Sequence, residues 1–314
     1  MQKIIKAKKN FYIGVLLILI SGCVTNTSQN GIKDKTGVSD IATDNRFGVV
    51  IMAHGGRDKW NKGVLDVVEP LKVNYDVEVA FGMADAVSIQ KSVDKLESRG
   101  VNQIAVIRMY VSGESWYERT EQILGISQGA PVRPAVKDRK SPAHHGHSME
   151  FWKLESDSRF VMSQQGLSEA TEMNEVLYFR AKQLSKDARN EDLLILAHGP
   201  GDDEENERWI KNITLRASDI KNKMSFNLVK IETLREDWSG KRPAAEKRIR
   251  RFVQDAINNN RTAIVIPYRV QGFGPYAKVL KDLDYKSNET GLVPHENVTQ
   301  WLENQIKNLR NHFN

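Results

Sequence analysis

The stretch "VVIMAHGGRD" at residues 49–58 returns in kind 144 residues later as "LLILAHGPGDD" at 193–203. Each is an apolar run that ends in Ala-His-Gly and then turns polar. A short apolar, branched run reads as a strand covered on both faces. The glycines that follow read as a tight turn. The pair therefore predicts two equivalent strand-to-loop junctions, each carrying a histidine (His54 and His198), in a chain built on an internal repeat.

The segments around each junction repeat as well. "FGVVIMA" (47–53), "DVEVAFG" (76–82) and "QIAVIRMYV" (103–111) read as strands in the first half. "DLLILA" (192–197), "FNLVKIET" (226–233) and "TAIVIPYRV" (262–270) read as strands in the second. Helical patterns lie between them at 59–72, where Pro70 ends or kinks the run, at 87–100, and at 244–259. In the last of these Ile249, Phe252, Val253, Ala256 and Ile257 fall on one face. Further helices are expected at 168–184 and 296–311. Alternating strands and helices predict an α/β fold of two similar halves, each a parallel sheet with helices on both faces, with a cleft between them. Ligands in such sheets bind beyond the carboxyl ends of the strands, where both histidines fall.

The boundaries follow from composition. Residues 1–10 carry four lysines and no acid, residues 11–20 are the apolar run "FYIGVLLILI", and "ISGC" closes the segment at Cys23. This is a signal-peptide pattern, and "ISGC" resembles a bacterial lipobox. That resemblance implies removal of 1–22, lipidation of Cys23, export, and attachment to the cell envelope by lipid, with Val24 pointing to the outer membrane of a Gram-negative cell. Cys23 is the single cysteine, so no intrachain disulfide is available. Four of the six net positive charges lie in the leader, and nucleic acid is not an expected partner. Residues 23–45 are polar and read as a tether. The halves are then expected at 46–125 and 166–314, joined by a linker at 126–165 that carries His144, His145 and His147.

Three chemistries compete for the loops. A hydrolase would use Ser115 of "GES" as nucleophile, but an elbow of the form G-x-S-x-G needs glycine where Tyr117 stands. Phosphate binding at a helix start is opposed by Asp202, Asp203, Glu204 and Glu205 crowding the second loop. Metal chemistry fits best. Neutral imidazole ligates divalent Fe, Co, Ni and Zn, and it also takes up a proton near neutral pH.

The ordered set resembles the class II tetrapyrrole chelatases of the sirohydrochlorin cobaltochelatase/ferrochelatase type. It consists of "AHGGRD", the run 77–113, "LLILAHGPGDDEENERW" and "GLVPHENVTQWL" (291–302). The resemblance covers about 47–125 and 190–310. It implies a lyase that inserts Co2+, Fe2+ or Ni2+ as substrate into a tetrapyrrole such as sirohydrochlorin, on the way to siroheme or cobalamin, with no organic cofactor. It implies His54 and His198 as proton acceptors and metal ligands. Two positions depart from the family pattern. Trp116 stands where a histidine follows the third strand, and Met83 stands where an acidic residue follows the second. Glu114, or the cluster with His145 and His147, is the expected replacement. Arg57, Arg108 and Arg269 are the expected partners of the macrocycle's carboxylates, and Gly272 and Gly274 would let the backbone approach a flat ligand. The alternative is an envelope lipoprotein that binds metal or tetrapyrrole without turnover.

Overall fold

Each half is built around a strand whose side chains are apolar on both faces. In the computed structural model, which describes residues 45–135 and 149–313, β1 (Phe47–Ala53) lies between β2 (Asp76–Phe81) and β3 (Gln103–Arg108), all parallel. In the second half β5 (Glu191–Ala197) lies between β6 (Leu228–Thr233) and β7 (Thr262–Tyr268), also parallel. The registers are identical once His54 is set against His198. Ala53 pairs with Phe81 as Ala197 pairs with Thr233, and Met52 pairs with Arg108 as Leu196 pairs with Pro267.

Period-two alternation sends Val49, Ile51 and Ala53 of β1, and Leu193, Ile195 and Ala197 of β5, into one shared apolar core. Val50 and Met52 face outward, under α2 (Ala86–Glu97) and α3 (Tyr117–Leu124). Leu194 and Leu196 face outward under α7 (Arg242–Asn258) and α8 (Tyr276–Val279). The helices that follow the His-Gly loops, α1 (Asp58–Val68) and α5 (Asp203–Arg216), join the shared core, and α6 (Ser218–Lys223) continues from α5. Pro70 sits in a short 3-10 turn, Glu69–Val73, that ends α1 as its ring requires.

Two features of the expected organisation change. The stretch assigned to a linker, 126–165, contributes β4 (Arg159–Met162), which pairs parallel to β3 and extends the first sheet to the order β2-β1-β3-β4. Trp152 and Leu154 of the same stretch are buried beneath it. The second sheet keeps a trace of the equivalent strand, a single parallel bridge between Ile264 and Lys286. His144, His145 and His147, like Cys23, lie outside the described residues.

The second change concerns the last helix of each half. After β4 the chain crosses the end of the first sheet, where Leu167 and Ser168 donate to Tyr110 and Val111, and enters α4 (Met173–Leu184). After the Lys286 bridge it crosses the second sheet in the same way, Leu292 and Val293 donating to Arg269 and Val270, and enters α9 (Glu296–Arg310). α4 packs on β7 and α5 of the second half, whereas α9 packs on β3 and α1 of the first. Each helix also grips the other's lead-in. Buried Arg180 of α4 donates to the carbonyls of Gly291, Leu292 and Pro294. Trp301 and Gln305 of α9 donate to Gln165. The boundary expected at 166 therefore does not divide the molecule, because the halves exchange their final helices.

Candidate functional site

Both His-Gly loops fold alike. Gly55 and Gly199 take left-handed backbone, φ +78° and +79°, a region that costs any residue with a Cβ about 1–2 kcal/mol. A Cβ at Gly199 would also fall 2.6 Å from Thr233 Cβ. The turn brings the Gly55 carbonyl to 2.8 Å from His54 Nδ1, and the Gly199 carbonyl to 2.8 Å from His198 Nδ1. A carbonyl only accepts, so Nδ1 carries the proton in both rings, and the neutral ring keeps its lone pair on Nε2. This is the orientation in which a second interaction fixes the tautomer of a ligating imidazole. The His54 ring stands 6.1 Å from the Trp60 ring, and Gly56 donates to Asn61 Oδ1 at 2.9 Å.

The second loop is held by residues that sequence reasoning missed. The three residues Glu236, Asp237 and Trp238, just past β6, each touch it. The Glu236 amide donates to the His198 carbonyl at 3.2 Å. Asp237 Oδ2 lies 3.0 Å from His198 Nε2. The Trp238 indole lies over Gly201, where an added Cβ would sit 2.6 Å from the ring. With a carbonyl on one nitrogen and a carboxylate on the other, the partners of His198 favour its protonated form. Burial opposes that charge, but the Asp237 hydrogen bond, with the charges of Glu236 and Asp237, outweighs it and raises the ring's pKa above its ordinary value. Beside it, buried Arg235, with left-handed backbone at φ +56°, donates to the carbonyls of Pro200 and Gly201 and to Asp203. The signal available in sequence was "TLREDW" (233–238), an acidic pair directly after a strand.

The other expected site residues are placed as follows. Arg57 is exposed at the N-cap position of α1. Arg108 is 1% exposed and donates to the carbonyls of Ser163, Ser115 and Gly113, with its guanidinium over the Tyr117 ring, so its donors are spent inside the protein. Arg269 pairs with Glu236 and stacks on buried Tyr276, whose hydroxyl burial pushes up to about 12. Gly274 makes room for that guanidinium, since a Cβ there would fall 2.8 Å from Arg269 Cζ. Gly272 takes φ +74° and donates to Gln271.

Glu114 forms a two-pronged ion pair, 2.7 Å in each arm, with Arg208 of α5, joining the loop after β3 to the helix that follows His198. Arg208 lowers its pKa. Ser115 accepts through its carbonyl from Arg108. Trp116 is exposed, in left-handed backbone, at the N-cap of α3, and Pro275 occupies the equivalent place in the second half. Met83 is half-buried after β2, and Arg235 is its counterpart. His295 caps α9 by accepting from Asn297, a structural role.

Among the described residues no group of three His, Cys, Asp or Glu side chains is gathered to hold a metal ion. Two surface grooves, of about 480 and 410 Å³, lie between α1 and α9 and along β2, and His54 and His198 line neither of these. No helix of the described residues is long and apolar enough to cross a membrane.

This architecture, two parallel sheets flanked by helices, resembles the fold of solved chelatases. The chain superposes on SirB of Bacillus subtilis with Fe3+, with a TM-score of 0.57 and 14% identity over 84% of this chain and 95% of that one. The sirohydrochlorin chelatase SirB of Bacillus subtilis subspecies spizizenii, in complex with cobalt, matches at 0.54 and 12% identity with the same coverage. At such identity the likeness is one of fold. The sequence matches no family model and no curated protein.

Proposed function

We propose that the chain is a chelatase-like protein that brings a divalent metal (Co2+, Fe2+ or Ni2+) together with a tetrapyrrole of the sirohydrochlorin kind. The observation that carries this reading is the doubled loop, in which the same left-handed glycine sets a carbonyl 2.8 Å from Nδ1 of His54 and of His198, the arrangement that orients a ligating imidazole. Insertion requires two pyrrole N–H protons to leave as M2+ enters. His54 is the imidazole that meets the metal and takes up a proton. His198 already holds Asp237 on Nε2, so any metal there must displace a carboxylate.

A second reading, a holder without turnover, is favoured by the lack of three gathered ligating side chains among the described residues. One experiment decides. The chain is mixed with sirohydrochlorin and then Co2+, Fe2+ or Ni2+, beside His54→Ala and His198→Ala, and the absorbance is followed. Turnover lost in His54→Ala supports insertion, a stoichiometric shift without turnover supports the holder, and no spectral change with any metal refutes both. The envelope anchor at Cys23 is proposed on the lipobox pattern, and Cys23→Ala is expected to move the protein from the membrane to the soluble fraction.

A further inference from the structure

We infer that Trp238 is a stacking platform for a flat, conjugated ligand at the second His-Gly loop, and so sets what that site accepts. The inference rests on the tetrapyrrole reading above and names the residue that would recognise the ring. Trp238 is 46% exposed, although most large apolar side chains among the described residues are buried. Its position is built. Gly201 lacks the Cβ that would collide with the indole, so one ring face lies on loop backbone and the other stays outward. The Trp238 amide donates to Arg235 at 3.0 Å, and Arg235 in turn grips Pro200 and Gly201 beneath the ring.

The neighbours point to the same use. Asp237, next in the chain, holds His198. Lys241 and Arg235 pair with Asp203 at the start of α5. A single indole ringed by charged and polar side chains is too small for the apolar centre of a protein interface. It is the right size for one planar π-system, and an aromatic stack is sequence- and substituent-tolerant because it uses the ring face. The first loop differs here. Its tryptophan, Trp60, comes from α1, is half-buried, and sits against Gly56 with a Cβ clearance of 3.1 Å. The outward indole is thus a feature of the second loop.

The test uses the full chain in detergent and a metal-free porphyrin, titrated by Soret absorbance and tryptophan quenching. Trp238→Ala is expected to weaken binding about tenfold, from the cost of losing one aromatic stack. Trp238→Phe is expected to stay within about threefold of the parent, because a benzene ring still stacks. Trp238→Leu keeps the apolar cover over Gly201 without an aromatic face, and it is expected to bind as weakly as the alanine variant even if the latter folds poorly. Trp116→Ala, the other exposed indole, is expected to bind like the parent. Equal affinity of parent and Trp238→Leu overturns the platform while leaving the tetrapyrrole reading intact. No porphyrin binding by the parent overturns both.

Discussion

Gly166→Ala tests the crossing that delivers each exchanged helix. At Gly166 the chain passes over the loop that follows β3, and an added Cβ would lie 2.4 Å from the Gly113 nitrogen and 2.4 Å from the Ser112 carbonyl carbon. Both obstacles are backbone, so no rotamer change relieves them. Contact at van der Waals distance needs a separation of about 3.4 Å or more, and one of two hydrogen-bonded segments must move by about 1 Å. The crossing bonds Leu167 to Tyr110 and Ser168 to Val111 resist that shift. Overpacking of this kind costs about 3 kcal/mol, which for a unit of this size lowers Tm by about 6–12 °C. Gly291→Ala, at the equivalent crossing, meets the Arg269 carbonyl oxygen at 2.6 Å and is expected to cost a similar amount. Gly240→Ala is the control. Nothing lies within 4 Å of its added Cβ, and the loss of unfolded-chain freedom makes it neutral or stabilising by up to about 1 kcal/mol. Scanning calorimetry on the three variants decides. If Gly166→Ala melts within 2 °C of the parent, with 2 °C as a roughly 1 kcal/mol threshold, the close crossing is not a constraint and the argument fails.

Further expectations follow from single side chains. In Asp237→Asn the His198 pKa, read by NMR titration, is expected to fall below that of the parent, because burial remains while the carboxylate that offsets it is gone. Since the folded pKa is raised, the pair's stabilisation is complete below about pH 6.5 and is lost as pH rises through the folded value. With Asp237 71% exposed it amounts to less than about 1 kcal/mol, and denaturation curves of parent and variant should converge at alkaline pH. Arg108→Met is expected to cost about 4 kcal/mol, because it leaves the buried Ser163 carbonyl and the half-buried carbonyls of Ser115 and Gly113 without their charged donor. An unchanged urea midpoint would contradict that. Glu114→Ala breaks a surface ion pair half-open to water and is expected to change stability by under about 1 kcal/mol, an effect that added salt reproduces in the parent.

The strands were legible because they are dense, local signals. "FGVVIMA" is β1 to the residue, and the helix at 296–311 ends within one residue of α9. β4 was hidden because its four residues, Arg-Phe-Val-Met, are too few to set a period, and only the distant edge of β3 makes them a strand. The helix exchange was invisible for a related reason. An amphipathic face states that a helix is covered, not by which half, and α9 carries the same kind of stripe whichever sheet it meets. At the site, the His-Gly motif gave both imidazoles and their turns. It could not give Asp237 or Trp238, whose roles depend on where the segment after β6 folds back. Nor could it show that Arg108, at a strand end, turns inward, because a strand-end arginine reads the same whether its donors meet a ligand or carbonyls.

The exchanged helices have a consequence for divergence. Two separate half-length chains, each lending its last helix to the other, would form a symmetric pair whose two loops carry one and the same sequence, so any change would strike both. With the halves covalently joined, α4 and α9 still lock them together, but each loop answers to its own stretch of sequence. The two copies differ accordingly: His54 stands beside a half-buried Trp60, while Glu236, Asp237 and Trp238 surround His198. Two loops built on one plan can thus differ in the residues around them without either half losing the cover that lets it fold.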